Sequence, residues 1–150
     1  KLFKEEKPRY KIKETNEEVG LDWLTQIIAV YQERLKKLSE ISELTDFFFK
    51  DNLEYDKEFL RWGSMADNEI VVFLGKAEKT LSVVKNEDWD KENLEQLLLS
   101  KTNSADRGKL LWPLRVALTG KKASASPFEV AAILGKEKTL KRIKEAKGKL

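Results

Sequence analysis

Gly108-Lys109-Leu110-Leu111-Trp112-Pro113-Leu114-Arg115-Val116-Ala117-Leu118-Thr119-Gly120 decides the fold class. Leu110, Leu111, Leu114, Ala117 and Leu118 recur at helical spacing, and Gly120 stands where a helix ends in a left-handed residue. Pro113 sits inside the pattern, where it removes a backbone donor and is expected to kink or restart the helix. Beyond Gly120, Lys121-Lys122-Ala123-Ser124-Ala125 forms a small polar loop. Ser126-Pro127-Phe128-Glu129 then carries a capping box with proline at the first helical position. Phe128, Val130, Ile133 and Leu134 face inward, Gly135 stops that helix, and Lys136 to Lys147 makes a last basic helix around Leu140 and Ile143.

The same periodicity runs backwards along the chain. Leu94, Leu97 and Leu98 mark a helix over 91–100 capped by Asp88 or Asp90, and Thr102-Asn103-Ser104 makes a loop with a cap candidate. Ile70-Val71-Val72-Phe73 alone would suit a strand. Its continuation through Leu74, Ala77, Leu81 and Val84, with Lys76, Glu78 and Lys79 outside, predicts a helix opened by Asn68. Phe59, Leu60 and Trp62 follow a short helix over 55–61 that breaks at Gly63-Ser64. Ser39 or Ser42 caps a short helix with Ile41, Leu44, Phe47 and Phe48, in which Phe47-Phe48-Phe49 is core. Leu21, Leu24, Ile27, Ile28, Tyr31, Leu35 and Leu38 predict an amphipathic helix with Asn16 as its cap. Residues 1–15 have no period and form a lead-in.

The 150 residues are enough to bury a core without staples. Absence of both cysteine and histidine excludes disulfides, thiolate nucleophiles, imidazole catalysis and the usual zinc ligand sets. Acid pairs such as Glu5-Glu6 and Glu17-Glu18 lie in polar surroundings that would not raise a carboxyl pKa, and no glycine-rich phosphate loop is present. No apolar run reaches the ~18 residues needed to cross a bilayer. The first residue is Lys1, which fits a piece of a longer or processed protein; a cytoplasmic, monomeric protein is expected.

Charge is distributed unevenly. Of 29 Lys/Arg, 13 fall in residues 101–150 against 4 of the 26 Asp/Glu, a local balance of +9, while the first hundred residues hold 16 against 22. Such asymmetry suits a polyanion partner, although a lysine-rich solvated helix has the same composition. The shift near residue 101 predicts two helical subdomains, 16–100 and 101–150, in an all-α chain.

Within the basic third, Trp112 and Arg115 are three residues apart on one helix face. Arginine offers a planar fork for a base edge or phosphate, and an indole can stack on an unpaired base or serve as core. The first-turn amides at 126–128, with their positive dipole end beside Lys121 and Lys122, provide an anion seat. Arg142 adds a further cation for phosphate.

Trp112 to Gly120, Ser126 to Glu129 and Leu134-Gly135-Lys136-Glu137 closely resemble the carboxy-terminal end of bacterial-type glutamyl-tRNA synthetases. Glu33-Arg34-Leu35-Lys36-Lys37-Leu38 followed by Phe47-Phe48 is similar to the start of the same region. The resemblance implies an all-helical anticodon-binding region of a class I synthetase. Its catalytic half would use ATP and Mg2+ to attach glutamate to a glutamate-accepting tRNA, and that half is absent from these residues. It further implies that Arg115 contacts an anticodon base, that Ser124, Ala125 and Pro127 cradle the last anticodon base, and that Arg34 separates glutamate from glutamine anticodons. A stand-alone helical RNA- or protein-binding module without catalytic activity is the alternative.

Overall fold

A computed structural model describes residues 8–150. The first half of the lead-in and the Glu5-Glu6 pair lie outside the described residues. The rest divides into two compact units, one ending at Asp51 and one over Asn52–Leu150. The composition shift near residue 101 therefore falls inside the second unit. It is not a structural boundary, because the helices before it pack against those after it: the helix Asp67–Ser82 on the helices Arg107–Thr119 and Lys136–Gly148, and the helix Lys91–Ser100 on the helix Pro127–Leu134.

In the first unit, β1 (Arg9–Lys11) pairs antiparallel with β2 (Glu18–Gly20), Tyr10 opposite Val19. This hairpin replaces the expected unstructured lead-in. Asn16, expected as a helix cap, instead takes φ 59° in the connecting turn, a left-handed conformation that asparagine tolerates. Its amide donates to the Ile12 carbonyl at 2.8 Å. Helix α1 (Leu21–Tyr31) starts directly after Gly20 and passes into a 3₁₀ turn, Gln32–Arg34. It does not continue to Leu38, which is 83% exposed. There the Glu40 carboxylate accepts from the Lys36 and Lys37 amides at 3.0 and 3.4 Å, groups that a longer helix would have bonded internally. Helix α2 (Ile41–Thr45) begins after Glu40 rather than at Ser39 or Ser42, and runs into the 3₁₀ turn Asp46–Phe49. Phe47 and Phe48 are buried as expected, with Tyr31 edge-on to both and Trp23 edge-on to Phe48 and Phe49.

The second unit is five helices: α3 (Asp67–Ser82), α4 (Lys91–Ser100), α5 (Arg107–Thr119), α6 (Pro127–Leu134) and α7 (Lys136–Gly148). In α3, Ile70, Leu74, Ala77 and Leu81 are fully buried while Val72 is 66% exposed, the 3.6-residue period that rules out a strand. The Asp90 side chain caps α4 through the Asn93 amide, and Asn103 caps the turn ahead of α5 through the Asp106 amide. The expected helix over 55–61 is the shorter 3₁₀ turn Lys57–Leu60, capped by Asp56. Helix α5 runs unbroken through Pro113, whose ring is buried against its neighbours. Leu110, Leu114, Ala117 and Leu118 bury its inner face, and Gly120 ends it at φ 69°, its amide donating to the Val116 carbonyl at 2.7 Å.

A Cβ at Gly120 would meet Tyr55 Cδ1 at 3.2 Å in a conformation that L side chains disfavour. Gly120→Ala is expected to lower unfolding stability by about 1–2 kcal/mol. Urea titration followed by circular dichroism would measure this, and an unchanged midpoint would count against the role given to that position.

Candidate nucleic-acid interface

The basic third is shaped by how α5 ends. The last carbonyls of any helix lack intrahelical partners and carry the negative end of its dipole. Here the Leu118 carbonyl accepts from Arg142 Nη1 at 2.6 Å. The Thr119 hydroxyl donates to the Arg115 carbonyl at 2.8 Å and accepts from the Lys121 amide at 3.0 Å, which fixes the exit of the chain. Across the loop, the Ser124 hydroxyl donates to the Ala125 carbonyl at 2.8 Å. The capping box then forms as its sequence predicts. The Glu129 amide donates to Ser126 Oγ at 3.2 Å, and the Ser126 amide donates to Glu129 Oε2 at 2.9 Å. Pro127 has no amide hydrogen, so Phe128 carries the first-turn amide outside these bonds.

This geometry divides the expected site residues. Arg115, Trp112, Lys121, Lys122, Ser124, Ala125 and Pro127 all lie on α5, its exit loop or the start of α6. Ala125 and Pro127 are buried, so they shape the loop from below, while Ser124 is half-buried and Lys122 exposed. Arg34 lies in the first unit, at the 3₁₀ turn after α1, where Nη1 donates to the Val30 carbonyl at 2.7 Å.

Arg142 is the correction. It is 1% exposed and binds the end of α5, so it cannot reach a phosphate. Buried Thr139, Ile143 and Ala146 share its helix face, a spacing that marks position 142 as inward despite the surrounding lysines. Cations at a helix C-terminus complement both the dipole and the free carbonyls, which is what a guanidinium buried there supplies.

Arg115 contrasts with Arg61 of the same unit. Its side chain is half-buried, and its Nε is shielded from solvent with no acceptor among the described residues. Arg61, by comparison, is tied to Glu58 through Nε at 2.8 Å, to Asp67 through Nη2 at 2.5 Å and to the Met65 carbonyl. Hydrogen bonding by Glu58 and then Asp67 raises the Arg61 pKa above the usual range, while Lys57 and then Arg61 hold the Asp67 carboxyl below its own. Lys109 is likewise held charged by Glu69 at 2.8 Å, with Asp106 at 3.6 Å. Arginine carries five donors, so one whose Nε has no acceptor among the described residues is equipped for an external acceptor.

Trp112 is braced rather than free. Its indole N–H donates to the Phe59 carbonyl at 2.9 Å, and its ring packs against Trp62 with centroids 5.2 Å apart at 41°. Phe59 in turn lies under Lys122, whose ammonium is 4.4 Å from the ring centroid. Such a contact steers a lysine without discharging it. Phe59 and Trp62 were not identified from the sequence as site residues, because they lie on a turn about fifty residues upstream with no helical period to align them with α5. Among the described residues no group of three or more acidic side chains is placed to hold a metal ion, and no helix is long and apolar enough to cross a membrane.

The anticodon binding domain family matches residues 2–147. The chain is 34% identical over 134 residues to the glutamate–tRNA ligase of Clostridium acetobutylicum, covering 87% of this chain and 27% of that protein. It is 37% identical over 125 residues to the glutamate–tRNA ligase of Herpetosiphon aurantiacus, covering 82% of this chain and 25% of that protein. The chain thus spans about a quarter of the length of the curated relatives it matches. Its fold is similar to that of a glutamate tRNA ligase from Elizabethkingia meningosepticum, with a TM-score of 0.75 at 24% identity over 90% of this chain and 26% of that one.

Arg142→Met keeps most of the side-chain volume but removes the donor to Leu118. The expected loss is about 1–3 kcal/mol of unfolding stability, as for a buried acceptor left without its charged donor. Chemical denaturation would measure it; stability equal to the unmutated chain would show that Arg142 does not cap α5.

Proposed function

We propose, since the chain belongs to the family of anticodon-binding domains, that it is the anticodon-recognising part of a glutamate–tRNA ligase. The observation that carries this reading is Arg115, half-buried and with no acceptor for its Nε among the described residues, on the helix that leads into a loop with two lysines. In this role Arg115 presents its fork to the edge of one anticodon base, where two parallel N–H donors distinguish acceptor patterns. Trp112 fixes the face from which Arg115 projects, through its bond to Phe59.

Lys121 and Lys122 provide positive charge for the backbone around that base. The Phe128 amide and the dipole of α6 add to the same field. Ser124, Ala125 and Pro127 form the wall against which the last anticodon base sits, the buried Ala125 and Pro127 keeping that wall close and rigid. Arg34 is assigned to the discrimination of glutamate from glutamine anticodons. ATP and Mg2+ would be used by the catalytic half of the whole enzyme, and aminoacylation would require that half.

Direct binding of tRNA by the 150-residue chain tests the reading. Arg115→Ala is expected to cost about 1–3 kcal/mol with glutamate tRNA and to weaken the preference for one anticodon position. Lys121→Ala combined with Lys122→Ala should weaken all tRNAs alike and flatten the plot of log affinity against log salt by about 1.4, at 0.7 per single-stranded phosphate. Equal affinity of the unmutated chain for anticodon-swapped tRNAs would overturn the base-reading role, and an unchanged slope would remove the lysines from the interface.

A further inference from the structure

Trp62 is held open in a way that core packing does not require. It stands in the turn between the 3₁₀ segment Lys57–Leu60 and α3, followed by Gly63 at φ 58°. The turn is locked on both sides. The Met65 amide donates to the Trp62 carbonyl at 3.2 Å, and the Arg61 fork ties Glu58, Asp67 and the Met65 carbonyl together. The indole rests on α5 at Gly108, where a Cβ would come within 2.5 Å of Trp62 Nε1, and against the Trp112 ring. With these supports in place Trp62 is still 45% exposed.

The surroundings select the kind of molecule that would cover it. Glu58 and Asp67 are neutralised by Arg61, with Lys57 also on Asp67, and Asp106 faces Lys109. Arg107, next to the glycine that supports the ring, is exposed, and Lys122 lies over Phe59, the residue whose carbonyl holds Trp112. The neighbouring exposed residues Gly63 and Ser64 add no large apolar side chain beside the ring, which leaves little of the broad apolar patch that a protein partner would cover. A rigid aromatic plane near Arg107 and Lys122, neither of which has an acidic partner among the described residues, matches the stacked base and charged backbone of an unpaired RNA segment.

We infer that Trp62 is a stacking platform for one unpaired base of the RNA loop, with Trp112 as its support and Gly108 as the gap that admits it. The inference rests on the proposed anticodon-binding role and divides its labour. Trp62 contributes affinity without sequence preference, because every base has a π-face, whereas Arg115 contributes discrimination.

The test uses the 150-residue chain and fluorescently labelled hairpins carrying a glutamate anticodon or a swapped one. Trp62→Ala is expected to weaken both hairpins by about tenfold while preserving their ratio, and Trp62→Phe to retain most of the affinity. Gly108→Ala, which displaces the ring without removing it, should fall between wild type and Trp62→Ala. One abasic position in the loop should cost the unmutated chain affinity but cost Trp62→Ala little, the coupling expected of a stacked pair. Unfolding curves exclude a general loss of structure. Unchanged affinity on Trp62→Ala, a loss confined to one anticodon, or additive losses at every abasic position would each overturn the platform. If the unmutated chain distinguishes the hairpins and Trp62→Ala does so with equal affinity, this inference alone falls; if the unmutated chain binds neither hairpin, the anticodon-binding role falls with it.

Discussion

The buried contact between Arg142 and the Leu118 carbonyl governs the second unit. An ionised guanidinium away from water is tolerated only where strong acceptors and dipoles compensate it. The end of α5 offers both. Because α7 carries Arg142 and α5 carries the carbonyl, the bond locks the two helices in register at the point where the chain leaves α5. Gly120 can then turn back in the left-handed conformation, and the Thr119 hydroxyl can hold the Lys121 amide. The loop that presents the lysines, and the capped start of α6 that follows it, inherit their positions from that one buried charge.

A second constraint lies at the other end of α5. Gly108 has no side chain, so the indole of Trp62 can lie against the helix; Trp112, one turn on, closes the contact and sends its N–H to Phe59. The 3₁₀ turn, the Trp62 turn and α5 therefore form one rigid assembly. Acidic residues around it are engaged by Arg61, Lys57 and Lys109, so the negative charge of the first hundred residues is locally cancelled here. The positive character of this face comes from which charges are paired as much as from how many there are. A net charge of only +3 for the chain conceals that arrangement.

Long helices with several buried turns were legible in the sequence because periodicity accumulates over many residues. The segment from Ile70 to Leu81 declares its period, and the caps at Asp90, Asn103, Ser126 and Gly120 act through bonds within three or four positions. Short elements were not legible. Three-residue strands at Arg9–Lys11 and Glu18–Gly20 contain too few alternations to register, and Asn16 suits a turn as well as a cap. Leu38 continued a helical spacing in sequence, yet local bonds from Glu40 ended the helix first. The candidate site shows the same division. Loop, cap and Arg115 were local and visible, while the burial of Arg142 and the partnership of Trp62 with Trp112 depend on residues 24 and 50 positions away in sequence.

These distances bear on how specificity can be built here. The proposed base-edge role of Arg115 requires a side chain fixed to within a fraction of an ångström, and α5 is held at both ends by groups outside itself. Arg142 fixes the exit, while Trp62 and Phe59 fix the entry through Trp112. Arg115 lies between the two anchors, one turn from each; its Nε has no acceptor among the described residues, and unlike Arg142 it caps no helix end. The unsatisfied donor is thus on the most constrained part of α5, where its direction costs least to maintain when an acceptor arrives. A donor on the exit loop would have to be ordered at the moment of binding, and that loss of freedom would subtract from the discrimination it could provide.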